Sequence, residues 1–138
     1  MLAISDLGAR RRQQVGNTRF ALSLAPTGRA LELSYVSGHE PDLRGYDPTE
    51  IDLILLDEMP ASGILQQKKL MQCPPALVQL GTSATNAFSY KVWVHQKLIV
   101  ISTNTWFEEL AKLAPGDREW VICNAVVVHV TGLLYVRA

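Results

Sequence analysis

Ile51-Asp52-Leu53-Ile54-Leu55-Leu56-Asp57-Glu58 is a nearly unbroken apolar run that ends in two acids. Such a run suits a β-strand covered on both faces, the usual condition of a strand inside a parallel sheet. Lys97-Leu98-Ile99-Val100-Ile101-Ser102-Thr103-Asn104 repeats the pattern, but its end is polar and uncharged. Two buried strands of this kind, set among helical stretches, predict an α/β fold: a three-layer αβα sandwich on a largely parallel central sheet.

Working outward, Leu2–Ile4 reads as a short first strand and Thr18–Leu24 as a short helix stopped by Pro26 and Gly28. Ala30–Val36 alternates like a strand, with Leu31, Leu33 and Tyr35 on one face. Residues 38–48 hold two glycines and two prolines and read as a turn region. Ser62 is placed to cap a helix running to about Gln72, which Pro74 and Pro75 end. Leu77–Leu80 and Tyr90–Val94 are short strands around the loop 81–88. Thr105 with Glu108 forms a capping-box pattern, so a helix is expected directly after Asn104. Asp117 is the expected cap of another helix, and Ala125–Val130 and Leu133–Val136 are expected late strands.

At 138 residues the chain fits a single domain with its own core, and 48% hydrophobic residues argue against disorder throughout. Thirteen basic and thirteen acidic residues cancel, so any nucleic-acid contact must come from a local patch rather than an overall basic charge. Cys73 and Cys123 stand far apart without a metal-ligand spacing, and read as reduced core thiols of an intracellular protein. No apolar run reaches membrane-spanning length, and the start is too soon charged for a signal peptide, so no membrane partner is expected. The arginines at 10, 11, 12 and 19 leave an organelle address open, beside the plainer reading of a solvated loop.

The two polar strand tips carry the chemistry. In parallel α/β sheets ligands bind beyond the carboxyl ends of the strands. Asp57 and Glu58, side by side, repel each other in a dry site unless a cation or water intervenes. Magnesium on Asp57 resolves that conflict and leaves Glu58 to polarise a water. Asn104 offers an amide that can touch a terminal phosphate without adding charge; its plainer role is a turn residue ahead of the helix.

A phosphate loop has the pattern G-x-x-x-x-G-K-[ST]. The chain offers Arg11-Arg12-Gln13-Gln14-Val15-Gly16-Asn17-Thr18 just ahead of the expected first helix, with the second glycine and the threonine kept. Arg11 stands in for the first glycine and Asn17 for the lysine. The amides of Gly16 to Thr18 can face an anion, and Thr18 can ligate magnesium. The missing ammonium removes a charge worth several kcal/mol to a phosphoryl-transfer transition state.

Taken together these residues resemble the superfamily-3 helicase domain of viral replication-initiator (Rep) proteins. The most telling stretches are Leu43-Arg44-Gly45-Tyr46-Asp47, the acid strand up to Glu58, and Lys97 to Asn104. The likeness covers roughly residues 8 to 130. It implies a P-loop core of the AAA+ type, ATP-driven movement along single-stranded DNA or RNA, and a homo-oligomeric ring. It makes Asp57 and Glu58 the Walker B acids, Asn104 the sensor of motif C, and Gly16 and Thr18 remnants of Walker A, with ATP and magnesium as cofactors. Asn17 departs from the family lysine, so a catalytically degenerate relative that serves as a binding module is the alternative. The chain is then a single helicase-type domain over residues 1–138, truncated or degenerate at its N-terminus, and intracellular, with the nucleus open. The arginine finger has no assigned position, Arg118 and Arg137 being the unsupported candidates.

A nucleic-acid face has its own candidate. If residues 90–97 are extended, Lys91, Trp93, His95 and Lys97 share one face by strand alternation. Cations interleaved with an aromatic ring suit a single strand, and the family carries a DNA-contacting hairpin here. The other reading is an edge strand kept soluble by its lysines, and a turn at 95–96 breaks the shared face.

Overall fold

Leu53–Asp57 (β3) and Leu98–Thr103 (β6) lie side by side in the middle of a five-stranded sheet, where their unbroken apolar runs need cover on both faces. A computed structural model describes residues 1–6, 14–81 and 88–130, with the side chains at 6, 14–18, 129 and 130 outside that description. The other sheet members are β1 (Leu2–Asp6), β2 (Ala30–Ser34) and β7 (Val126–Val130). Their order is β2-β3-β6-β1-β7, and every neighbouring pair is parallel. Between β1 and β2 runs α1 (Gln14–Ser23). After β3 come α2 (Ala61–Gln66), α3 (Lys68–Met71) and an antiparallel pair, β4 (Val78–Leu80) with β5 (Tyr90–Val92). α4 (Trp106–Lys112) and α5 (Pro115–Asn124) link β6 to β7.

Strand alternation splits the core in two. Ile54, Leu56, Ile99 and Ile101 face one side, where they meet Ile64, Leu70, Trp106, Leu110 and Val121 from α2 to α5. Leu53, Leu55, Val100 and Ile4 face the other and meet Ala21 of α1. The chirality of parallel crossovers explains the division. The step from β1 to β2 travels toward one edge of the sheet, and every later step travels toward the other. Right-handed connections in opposite directions put α1 alone on one face and the remaining helices opposite. The result is the expected α/β sandwich with three layers.

Local expectations at the helix starts fail in instructive ways. Pro60 occupies the N-cap of α2, so Ser62 lies inside the first turn, and the expected single helix breaks at Gln67 into α2 and α3. Thr105 is at the N-cap of α4, but its hydroxyl donates to Glu109 Oε1 at 2.9 Å instead of joining a box with Glu108. Ala114 precedes Pro115 at the start of α5, which leaves Asp117 in the first turn, where its charge still suits the helix dipole. Of the two thiols only Cys73 is half-buried, its Sγ 3.5 Å from the Lys97 carbonyl; Cys123 is exposed on α5. Trp106 is a core residue, while Trp120 is half-buried beneath the Lys68 ammonium, 5.1 Å from its ring. The expected strand Leu133–Val136 lies outside the described residues.

The β4–β5 hairpin is tied to the segment that leads into β3. The Leu43 N–H donates to Tyr90 Oη at 2.9 Å, Tyr46 Oη donates to the Trp93 carbonyl at 2.7 Å, and Lys97 Nζ donates to the Pro48 carbonyl at 2.5 Å.

Candidate functional site

All five parallel strands point their carboxyl ends the same way, and the polar residues gather there. Asp57 pairs in register with Ser102 on β6 and with Ser34 on β2, and Ser5 on β1 pairs with Thr103. Asn104 is the first residue past β6 and is exposed. Asp57, Glu58 and Asn104 therefore share one end of adjacent strands, as the apolar runs with polar tips predict. The backbone adds a direct link: the Glu58 N–H donates to the Ser102 carbonyl at 2.7 Å. Glu58 adopts φ +58°, a left-handed conformation that a non-glycine residue rarely takes and that is common at functional sites.

Asp57 is the electrostatic centre of this end. Burial pushes its carboxyl above the ordinary carboxylate range, and the charges of Glu58 and Glu32 push it further the same way. A carboxylate held against partial burial and like charge is relieved by a cation. Of the three buried hydroxyl residues at this end, Ser102 shares the Asp57 face of the sheet, while Ser5 and Thr103 alternate to the other. Thr103 Oγ1 accepts the Thr105 N–H at 3.2 Å and shapes the turn that presents Asn104. Among the described residues no three His, Cys, Asp or Glu side chains converge as a metal cluster. A magnesium ion shared with phosphates uses only one or two protein carboxylates, so one carboxylate raised by its surroundings, beside the Ser102 hydroxyl, fits such an ion.

β1 ends at this same end of the sheet, and α1, which carries Gly16, Asn17 and Thr18, is the next element in the chain. Residues 7–13 and the side chains of Asn17 and Thr18 lie outside the description. The backbone of α1 begins at Gln14, four residues before the expected start at Thr18. Gly16 is thus the third helical residue with an amide free of the helical ladder, whereas the amides of Asn17 and Thr18 fall within it.

Sequence reasoning missed Glu109. From α4 its Oε2 accepts the N–H of Ala61, the first residue of α2, at 2.9 Å, and its Oε1 accepts the Thr105 hydroxyl. One side chain thereby joins the turn beyond Asn104 to the segment beyond Glu58. The spacing of Thr105 and Glu109, one helical turn apart, was the available signal; the contact with Ala61, 48 residues away, had none.

The basic stretch is extended only in part. β5 ends at Val92, residues 95–96 turn, and Gln96 has φ +61°. Lys91 and Trp93 are exposed, and Trp93 meets His95 edge-on with ring centroids 5.8 Å apart. Lys97 lies beyond the turn with its ammonium on the Pro48 carbonyl, so it leaves the face expected for all four residues.

Beside the acid tip is a cavity of about 460 Å³. Ser34, the register partner of Asp57, and Met59, two residues past it, both line its wall. No helix among the described residues is long and apolar enough to cross a membrane. No known family model matches the chain, and no curated protein matches it significantly.

Proposed function

We propose that the carboxyl end of the sheet binds a magnesium–ATP complex, and that the chain is a helicase- or translocase-type ATPase domain acting on single-stranded nucleic acid in viral-type DNA replication. The observation that carries this reading is the register that sets Asp57 against Ser102, two residues before Asn104, at the end where β1 leads toward α1. Asp57 and Thr18 are the residues that would hold magnesium, which when bound neutralises phosphate charge. Glu58 accepts a proton from the attacking water, and Asn104 contacts the terminal phosphate. Gly16 contributes a backbone amide to the phosphates. Lys91, with Trp93 and His95 beside it, meets the strand, and a homo-oligomeric ring is the expected assembly.

A second reading has its own support. Asn17 stands where the family has its lysine, and its amide and that of Thr18 belong to the helical ladder. Both features favour a pseudo-ATPase that keeps the fold and binds nucleic acid or protein without brisk turnover. Magnesium-dependent ATP hydrolysis by the natural chain and by Asn17→Lys separates the two. The expected result is slow or absent hydrolysis by the natural chain and a gain with Asn17→Lys. Equal, brisk turnover by both refutes the degenerate reading, and failure of both to bind nucleotide refutes the site.

A further inference from the structure

The cavity beside the acid tip has a composition that the proposed metal–phosphate chemistry leaves unused. Leu56 and Met59 form a buried apolar floor, and Tyr35 and Tyr90 add half-buried rings. The polar wall is mixed in charge, with Glu40 and Asp42 as acids and Arg44 and His39 as basic side chains. Arg44 lies over an aromatic surface: its guanidinium carbon is 4.8 Å from the Tyr90 ring centroid. That ring is itself fixed by the Leu43 N–H on its hydroxyl. Arg44 keeps about half its side chain exposed, 54%, while its Nη1 rests 3.4 Å from Asp42.

We infer that this cavity binds a single nucleobase, carried either by a free nucleotide or by a single strand. The volume falls within the ordinary range of small-molecule pockets. A phosphate entering here would meet the carboxylates of Glu40 and Asp42, so the base, not the phosphate, is the part that fits. A purely aliphatic guest would match the apolar floor but form no hydrogen bond with the polar wall. A base has an apolar face for the rings and for a guanidinium plane already in place, and an edge that both donates and accepts. Arg44 supplies donors and the two acids supply acceptors, so the edge chemistry is matched. The wall is preorganised, which reduces the ordering cost of capture. The choice of a nucleobase among planar ligands rests on the nucleotide reading above; the cavity and its chemistry do not.

The test uses the full chain and two probes without a free triphosphate: adenosine and a short single-stranded oligodeoxyadenylate. Binding is followed by the NMR shifts of the amides of Tyr35, Val36 and Tyr90. Val36 lines the cavity and is 58% exposed, so Val36→Trp fills the mouth without disturbing the core. Arg44→Gln removes the stacking cation from a solvated ion pair. Each variant is expected to weaken the bound probe at least ~fivefold, the low end of what one stacking contact gives. Tighter binding of the oligonucleotide than of adenosine assigns the base to a strand, and the converse assigns it to a free nucleotide; both uphold the site. Asp57→Asn is expected to remove magnesium–ATP binding and leave adenosine binding intact, so the failure of one site is told from the failure of the other. The inference is overturned if neither probe moves these amides, or if both variants bind as the natural chain does.

Discussion

Replacing Glu109 by alanine removes two hydrogen bonds with unequal consequences. The Ala61 N–H opens α2 and has no partner within its own helix, and Ala61 is fully buried. Deleting the carboxylate leaves that donor dry and unpaired, at a cost of about 1–3 kcal/mol. The Thr105 hydroxyl is exposed and returns to water, so its loss adds little. Alanine recovers a few tenths of a kcal/mol in helix propensity, which brings the expected net loss to about 0.7–2.7 kcal/mol. For a chain of 138 residues that corresponds to a fall in Tm of roughly 2–9 °C. Glu109→Gln keeps an oxygen for Ala61 and an amide for Thr105, and is expected to cost under about 0.7 kcal/mol. Urea unfolding with an unchanged m-value, together with thermal melting, reads both variants. If Glu109→Ala stays within about 0.5 kcal/mol of the natural chain, or if Gln is as damaging as Ala, the bridging role is refuted.

Three further outcomes follow from the same geometry. The Asp57 carboxyl is raised by burial first and by Glu58 and Glu32 after, so it favours the folded state when protonated; its contribution is present below the ordinary aspartate value and is lost as pH rises through the raised one. Asp57→Asn should therefore stabilise the metal-free chain at neutral pH and flatten this part of the pH–stability profile, and added magnesium should stabilise the natural chain but not the variant; a neutral-pH loss of stability would contradict the strain. Glu58→Gly relieves a left-handed backbone and should add roughly 0.5–1 kcal/mol in chemical denaturation while abolishing any hydrolysis, and a destabilised variant would count against strain at this position. Tyr46→Phe removes the bond to the Trp93 carbonyl and should cost about 1 kcal/mol. Burial, then Cys73 and Asp47, push the Tyr46 phenol up to about 12, so the fold should lose stability in alkali between the ordinary tyrosine value and that one, more steeply than in Tyr46→Phe; ultraviolet titration showing an ordinary phenol would refute the burial argument.

The central strands were legible because their demands are local: four consecutive buried residues in β3 and five in β6 suit a covered, parallel position. Their polar tips were legible for the same reason, since parallel neighbours with similar lengths must end together. The order of the strands was not, because it depends on the path of connections and not on any one segment. The break at Gln67 and the Pro60 cap escaped notice because Ser62 is a good capping residue by type, while the donor at Ala61 found its acceptor far along the chain. Lys97 was misplaced because alternation gives a face only while the backbone stays extended, and the turn at 95–96 ends it. At the start of α1, a helix onset at Gln14 moves Asn17 and Thr18 away from the helix end that the phosphate-loop pattern requires.

The bonds from Leu43, Tyr46 and Pro48 to the β4–β5 hairpin and its exit have a mechanical meaning. They bolt the arm to the stretch of chain that enters β3, so the arm is not a hinged flap but one end of a lever. A tug on Lys91 or Trp93 is delivered through those bolts to the root of the strand whose far tip is Asp57. Work done at one end of this molecule has a short, stiff route to the other.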